Sequence, residues 1–293
     1  MTDFTNASLF VTGASGHLGR AAVEELLARG ATRIIAGTRD PSKLADLADK
    51  GDEIRKDDFE DPARLPAAFA GVERLLIVST DGIGTRITQQ TAAVEAAKAA
   101  GVKHIVYTSA PAARPNADAG LNPEHFWTEV AIAGSGLDFT ILRNHMYAEN
   151  NFMSLPQALA SGQLYGLIGD RGTSYVTRAD TARTAAGALL SAQGKAIEDV
   201  TGPAPVTNVE RARIASDLTG KPIAVVDLPP ADLKASMIAG GLPEGFAEAL
   251  TAFQRDAVSG HHGVVTDTVE RYSGRRPEAL ADFLAANKAA LGA

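Results

Sequence analysis

The chain has no cysteine, which excludes disulfides, thiolate-bound metals and a cysteine nucleophile. It has no excess of basic residues: 28 Lys and Arg stand against 35 Asp and Glu, giving a net charge of −7. Neither nucleic acid nor an anionic membrane surface is therefore an expected partner. No uninterrupted apolar run approaches the roughly 18 residues needed to cross a bilayer, and no basic-then-apolar leader opens the sequence. A soluble, cytoplasmic protein is the expectation. Internal repeats and low-complexity tracts are also missing, and the sequence leaves a homodimer open without specifying one.

What is present begins with a glycine-rich turn. Thr12-Gly13-Ala14-Ser15-Gly16-His17-Leu18-Gly19 follows the apolar run Ser8-Leu9-Phe10-Val11 and opens a helical stretch reaching Arg29. Strand, glycine turn and helix in that order make a site for a dinucleotide pyrophosphate. Glycine permits the tight turn and the close approach of the phosphates, whose charge meets unpaired N–H groups at the positive end of the helix. The spacing Gly13-x-x-Gly16-x-x-Gly19 is the short-chain dehydrogenase variant of the motif.

A second strand, Arg33 to Gly37, ends in Thr38-Arg39-Asp40, about 20 residues past the last glycine, where the ribose 2′ position is read. Arg39 offers a planar fork to a 2′-phosphate, with Lys43 one turn further on, so NADPH is expected over NADH. Asp40-Pro41 reads as a helix N-cap followed by proline at the first helical position.

Apolar runs at Phe10-Val11, Arg33 to Gly37, Glu53 to Lys56, Arg74 to Ser79, His104 to Thr108 and Phe139 to Leu142 alternate with helical stretches. The helices are expected at Gly19 to Arg29, Pro41 to Asp49, Pro62 to Phe69, Thr85 to Ala100 and Pro123 to Ala133. This alternation predicts an α/β, doubly wound parallel-sheet Rossmann fold over residues 1–150. A smaller C-terminal α/β substrate lobe is expected over 151–293, with some segments returning to the first domain and short strands at Tyr175-Val176 and Ala224 to Val226.

Ligands of such sheets bind beyond the carboxyl ends of the strands. The strand tips accordingly supply the candidates. Ser15, His17 and Leu18 belong to the glycine turn, Asp58 and Phe59 are candidates to bond and pack against the adenine, Ser79 and Thr80 are candidates to bond the nicotinamide-side ribose, and Thr108 is a further cofactor-binding candidate. Ser109 is the candidate catalytic serine, with Asn144 and Tyr147 beyond the sixth strand. The usual general acid, a tyrosine with lysine four residues on, is missing: none of the five tyrosines has that lysine. His125 and Glu129, one helical turn apart, are a candidate imidazole–carboxylate pair. No metal is expected, since His145 has no second ligand at a recognisable spacing and His261-His262 reads as a loop. Residues 111–123 are suited to a lid, and Phe126, Trp127, Tyr147 and Phe152 are expected near one mouth, suiting a flat apolar guest.

These segments resemble the atypical short-chain dehydrogenases of the NmrA-like family, and within it the bacterial NADPH:quinone oxidoreductases and triphenylmethane reductases. The resemblance is carried by Thr12 to Gly19, by Ala36-Gly37-Thr38-Arg39-Asp40-Pro41, by Ala97 to Ser109, by Leu142-Arg143-Asn144-His145-Met146-Tyr147-Ala148-Glu149-Asn150, and by Thr266 to Glu270 with Gly274 to Pro277. It spans essentially the whole chain. It implies hydride transfer from NADPH directly to an apolar, electron-poor acceptor such as a quinone, which needs no tyrosine acid because the reduced quinone is a stable monoanion. The family also contains non-catalytic NADPH-binding sensors, and reductases of other small carbonyls or imines are a further implied class. His145-Met146 stands where the subgroup has Gly-Trp, a departure that bears on the acceptor.

Overall fold

The computed structural model describes residues 3–49, 52–80, 82, 84–115 and 121–292. Seven parallel strands form one sheet: β1 Leu9–Val11, β2 Ile34–Thr38, β3 Glu53–Lys56, β4 Arg74–Ile77, β5 His104–Ser109, β6 Asp138–Asn144 and, after an intervening short strand β7 Gln163–Gly166, β8 Lys195–Val200. Their spatial order is β3-β2-β1-β4-β5-β6-β8, so the chain reverses direction across the sheet between β1 and β4. That reversal leaves a crevice beyond the strand tips.

Alternation along each strand divides the core between two faces. Leu9 and Val11 face one side with α1 His17–Ala28, α2 Ala45–Ala48, α7 Arg178–Ser191 and α11 Thr268–Ser273. Phe10 faces the other, edge-on to Phe69 at 5.1 Å between ring centroids, among α3 Leu65–Ala68, α4 Arg86–Ala99 and α5 Leu121–Gly134. Helices on both faces explain why β1, β2, β4 and β5 are buried along their whole length.

The remaining elements build a third apolar cluster. It joins α6 Leu155–Ser161, α8 Asn208–Thr219 and α12 Leu280–Ala286 to the two-stranded parallel sheet of β7 and β9 Ala224–Asp227. Helices α9 Pro230–Ala239 and α10 Glu244–Val258 pack on each other beside it. Segments from the second half of the chain, α7, β8 and α11, pack into the seven-stranded layer.

One strand expectation needs correction, and one strand was not expected. Tyr175-Val176 is no strand, since Val176 makes only an isolated parallel bridge to Tyr147. The seventh strand, β8, escaped the sequence reading because it lies at the sheet edge with Lys195 and Ile197 in water, and so lacks the apolar run of a covered strand. No helix among the described residues is long and apolar enough to cross a membrane.

Candidate active site

A groove of about 600 Å3 runs along the tips of β1, β2, β3 and β4. Its floor is the glycine turn. Gly13 has φ +61°, which a side chain would strain. A Cβ on Gly19 would sit 2.4 Å from the Gly13 carbonyl oxygen, so glycine there lets α1 start directly against the turn. Gly16 occupies the helix N-cap with no side-chain cap, leaving the first N–H groups of α1 facing the groove for an anion. Ser15 Oγ is fixed by the Thr38 hydroxyl at 2.9 Å. These features fit a dinucleotide pyrophosphate.

Of the residues expected from the sequence, Gly13, Ser15, Gly16, His17, Leu18, Gly19, Arg39, Asp58, Phe59, Ser79, Thr80 and Tyr147 line this one groove. Arg39 is exposed and makes no ion pair with any described residue. Asp40 does not compete for the ribose: its carboxylate caps the following turn, accepting from Ser42 N–H at 3.1 Å and from the Ser42 hydroxyl at 2.6 Å, and those bonds hold it below its ordinary pKa. Lys43 is exposed in that turn and does not line the groove. Thr108 lies behind the lining, where its hydroxyl accepts from Ser79 N–H at 2.9 Å and thereby holds Ser79 at the rim.

The structure separates His125 from Glu129, correcting the expected pair. His125 is buried and its Nδ1 lies 2.7 Å from the Tyr107 hydroxyl. Desolvation pushes its pKa down to about 3, so the imidazole is neutral. Glu129, also buried, accepts from the Ser109 hydroxyl at 2.6 Å and from Arg143 through Nε at 2.9 Å and Nη2 at 2.6 Å. Helical spacing made the pair feasible, but β5 and β6 supply nearer partners for both side chains. The Ser109 proton is thus committed to a carboxylate, and the serine oxygen can offer only lone pairs elsewhere.

Asn144 ends β6 with 6% exposure, and neither atom of its amide has a partner among the described residues. The run after it ties the strand tip to neighbouring helices. Glu149 accepts the backbone N–H of Arg178 at the start of α7, Asn150 accepts from the Arg178 guanidinium at 3.3 Å, and Asn151 accepts from Arg211 of α8 at 2.7 Å. The Arg178 guanidinium lies over the Tyr147 ring, 5.2 Å from its centroid, and both residues line the groove.

The expected aromatic mouth is not one cluster. Tyr147 lines the groove, whereas Phe152 packs on Phe283 at 5.6 Å in the third apolar cluster, and Phe126 and Trp127 meet edge-to-face at 5.3 Å on α5. Of the expected lid, residues 116–120 lie outside the described residues. Its described beginning is anchored by Arg114, whose guanidinium spans both carboxylate oxygens of Asp256 on α10.

One further strand-tip acid lines the groove, and a buried ion pair lies behind it. Asp57 sits at the β3 tip with 4% exposure. Burial raises its carboxyl to about 8, against the nearby Arg39 and the Gly13 backbone, which pull it down. Arg86 and Glu124 form a buried pair at 2.9 Å, and the same guanidinium donates to the Thr80 carbonyl at 2.8 and 2.6 Å. No local motif marks these positions. Asp57 alone carried a sequence signal, as the first acid at a strand tip. No cluster of metal-ligating side chains occurs among the described residues.

Comparison with known proteins agrees with this geometry. Residues 13–192 match a family described as NAD(P)H-binding. The chain is 37% identical over 275 residues to quinone oxidoreductase 2 of Escherichia coli K12, covering 93% of this chain and 96% of that protein. The crystal structure of the NADPH-dependent quinone oxidoreductase of E. coli complexed with NADPH superposes with a TM-score of 0.90 at 35% identity, covering 96% of this chain and 99% of that one. The triphenylmethane reductase of Citrobacter sp. gives 0.84 at 32% identity, covering 98% and 100%.

Proposed function

The chain belongs to the NAD(P)H-binding family matched by its residues 13–192, and from that membership we propose that it is an NADPH-dependent oxidoreductase acting on a quinone or a similar conjugated acceptor. The observation that carries the reading is the convergence of the glycine turn, Arg39 and Tyr147 on one groove. The turn holds a pyrophosphate, the arginine reads a 2′-phosphate, and the tyrosine arrives from the lobe side of β6, where an acceptor ring would lie.

When bound, NADPH supplies the hydride. The protein's own part is placement and charge. Thr108 holds Ser79, and Arg86, paired with the buried Glu124, holds the Thr80 carbonyl, so this rim is positioned by the protein's own contacts. Tyr147, backed by the Arg178 cation, presents a ring face and a phenol to the acceptor. The phenol can donate to an oxygen gaining negative charge. The unpaired Asn144 amide offers a second donor at the strand tip.

Ser109 cannot serve as the acid while its proton points to Glu129, and His125 is turned into the core against Tyr107. Proton supply from solvent or from Tyr147 is consistent with an acceptor whose reduced form is a stabilised anion, and less so with a simple ketone. Oxidation of NADPH, followed at its own absorbance and screened against quinones, azo and triphenylmethane dyes, enones and imines, tests the proposal. Turnover is expected with quinones or dyes. Tight NADPH binding with no turnover of any acceptor would replace it with a sensor.

A further inference from the structure

The groove carries its charged side chains unevenly. Strand order puts the tips of β3 and β2 at one end and Tyr147, which follows β6, towards the other. Arg39, Asp57, Asp58 and Glu60 all line the β3–β2 end. Beyond β1 the lining turns neutral, through Ser79, Thr80, Thr85 and Gln89, until it reaches Arg178 beside Tyr147. Among the described residues, Arg178 is the only side chain of fixed charge that lines this half.

That charge has no counter-ion of its own. The half-buried guanidinium lies over the Tyr147 ring and donates from Nη2 to the neutral amide of Asn150 at 3.3 Å, and it forms no ion pair with a described residue. Arg183, further along α7, shows the contrast, since its guanidinium is paired with the buried Asp180. Glu149 is near Arg178 in space but is turned to its backbone: both carboxylate oxygens accept the Arg178 N–H, at 3.0 and 3.2 Å, and Glu149 does not line the groove. Of the five N–H donors of a guanidinium, only the one to Asn150 has a hydrogen-bond acceptor among the described residues. In the proposed complex the glycine turn holds the pyrophosphate and Arg39 the 2′-phosphate. Arg178 is then left facing no anion.

We infer that Arg178 is the specificity-determining residue for the acceptor, and that this end of the groove selects conjugated acceptors whose ring bears an oxyanion substituent: a sulfonate, carboxylate or phosphate ester. The planar fork of N–H donors matches two oxygens of such a group, whereas a neutral quinone leaves the cation to water. Because Arg178 lies over Tyr147, an acceptor ring held at the phenol has this cation at its edge rather than across the groove. The inference rests on the acceptor class proposed above.

The test compares 1,4-naphthoquinone with 1,4-naphthoquinone-2-sulfonate, through the ratio of kcat/KM for the sulfonate to kcat/KM for the neutral quinone. Following that ratio from wild type to variant cancels both the intrinsic reactivity of the two probes and any general loss of activity. In Arg178→Gln it is expected to fall about tenfold, mainly through KM, the lower part of the range for a hydrogen bond to a charged group at a partly solvated site. Arg178→Lys, which keeps the charge without the fork, should lose about threefold. Molar salt should lower the wild-type ratio and leave that of Arg178→Gln nearly flat, a dependence that a merely structural arginine would not give. A ratio within about twofold of wild type in Arg178→Gln, with both quinones turned over by the wild type, would overturn the inference; a loss of NADPH affinity in the same variant would then assign Arg178 to the cofactor's phosphates. Calorimetry of 2-naphthalenesulfonate with the NADP+-loaded protein separates this from the activity itself. Arg178-dependent sulfonate binding in a wild-type protein that reduces neither quinone would refute the proposed function while retaining the charge selection.

Discussion

Replacing Arg39 with alanine should abolish the preference for NADPH over NADH. Arg39 lines the groove, is exposed, and is paired with no described carboxylate, so its guanidinium is available to a 2′-phosphate. Neither Asp40, next in the chain, nor the nearby Asp57 cancels it. Asp40 is occupied by Ser42, and Asp57, raised to about 8 by burial, is largely protonated at neutral pH. A charge-assisted bidentate contact contributes about 1.5–3 kcal/mol, and solvent exposure argues for the lower half of that range. At about 1.4 kcal/mol per decade, NADPH affinity should fall roughly 10- to 30-fold in Arg39→Ala while NADH affinity stays within about twofold. Calorimetric titration of both cofactors at pH 7 and low salt reads this directly. The difference should narrow below about pH 6, where the 2′-phosphate takes up its second proton, and in molar salt. Equal affinities for NADPH and NADH in the wild type, unchanged in Arg39→Ala, would refute the reasoning.

Gly16→Val should eliminate NADPH binding with a cooperative unfolding transition retained, because its Cβ meets only the Gly13 oxygen at 3.3 Å and the branched remainder enters the groove, whereas Gly19→Ala should destabilise the protein itself, its Cβ colliding with the turn backbone at 2.4 Å; thermal melts with cofactor titration separate the two. Ser109→Ala should lower kcat by less than about 100-fold, below what a full general acid often supplies, and Tyr147→Ala should do at least comparable harm. A several-thousand-fold loss for Ser109→Ala with Tyr147→Ala near wild type would restore a serine acid. Stability of the cofactor-free protein should peak near pH 6.5. Buried His104 and His125, with pKa near 3, and His262, near 4, refuse protons that the unfolded chain takes up below about 6.5, so acidification from there towards pH 4 costs stability. Asp57 acts with the opposite sign: the fold keeps its proton up to about pH 8 while the unfolded chain releases it near 4, so stability declines as pH rises from 6.5 to 8. Denaturant titrations at pH 5, 6.5 and 8 should show both declines, and Asp57→Asn should remove the alkaline one; the same alkaline slope in that variant would exclude Asp57 as its origin.

The amino-acid sequence by itself determined those features whose physics is local. The glycine spacing, the apolar strands flanked by helices, the Asp40 cap and the cation at Arg39 each depend on residues close together in the chain; the strands, the helices and the cap form as expected, and the glycine turn and Arg39 lie along one groove. Tertiary structure alone decided which partner a polar side chain takes. His125 and Glu129 are one helical turn apart, yet strands β5 and β6 present Tyr107, Ser109 and Arg143 at shorter range, so the two bond outward to different strands. Likewise, the β8 edge strand, the protonated Asp57 and the Arg178–Tyr147 stack depend on burial and on segments far apart in sequence. Desolvation and long-range pairing leave no periodicity along a chain, and only the assembled packing sets them.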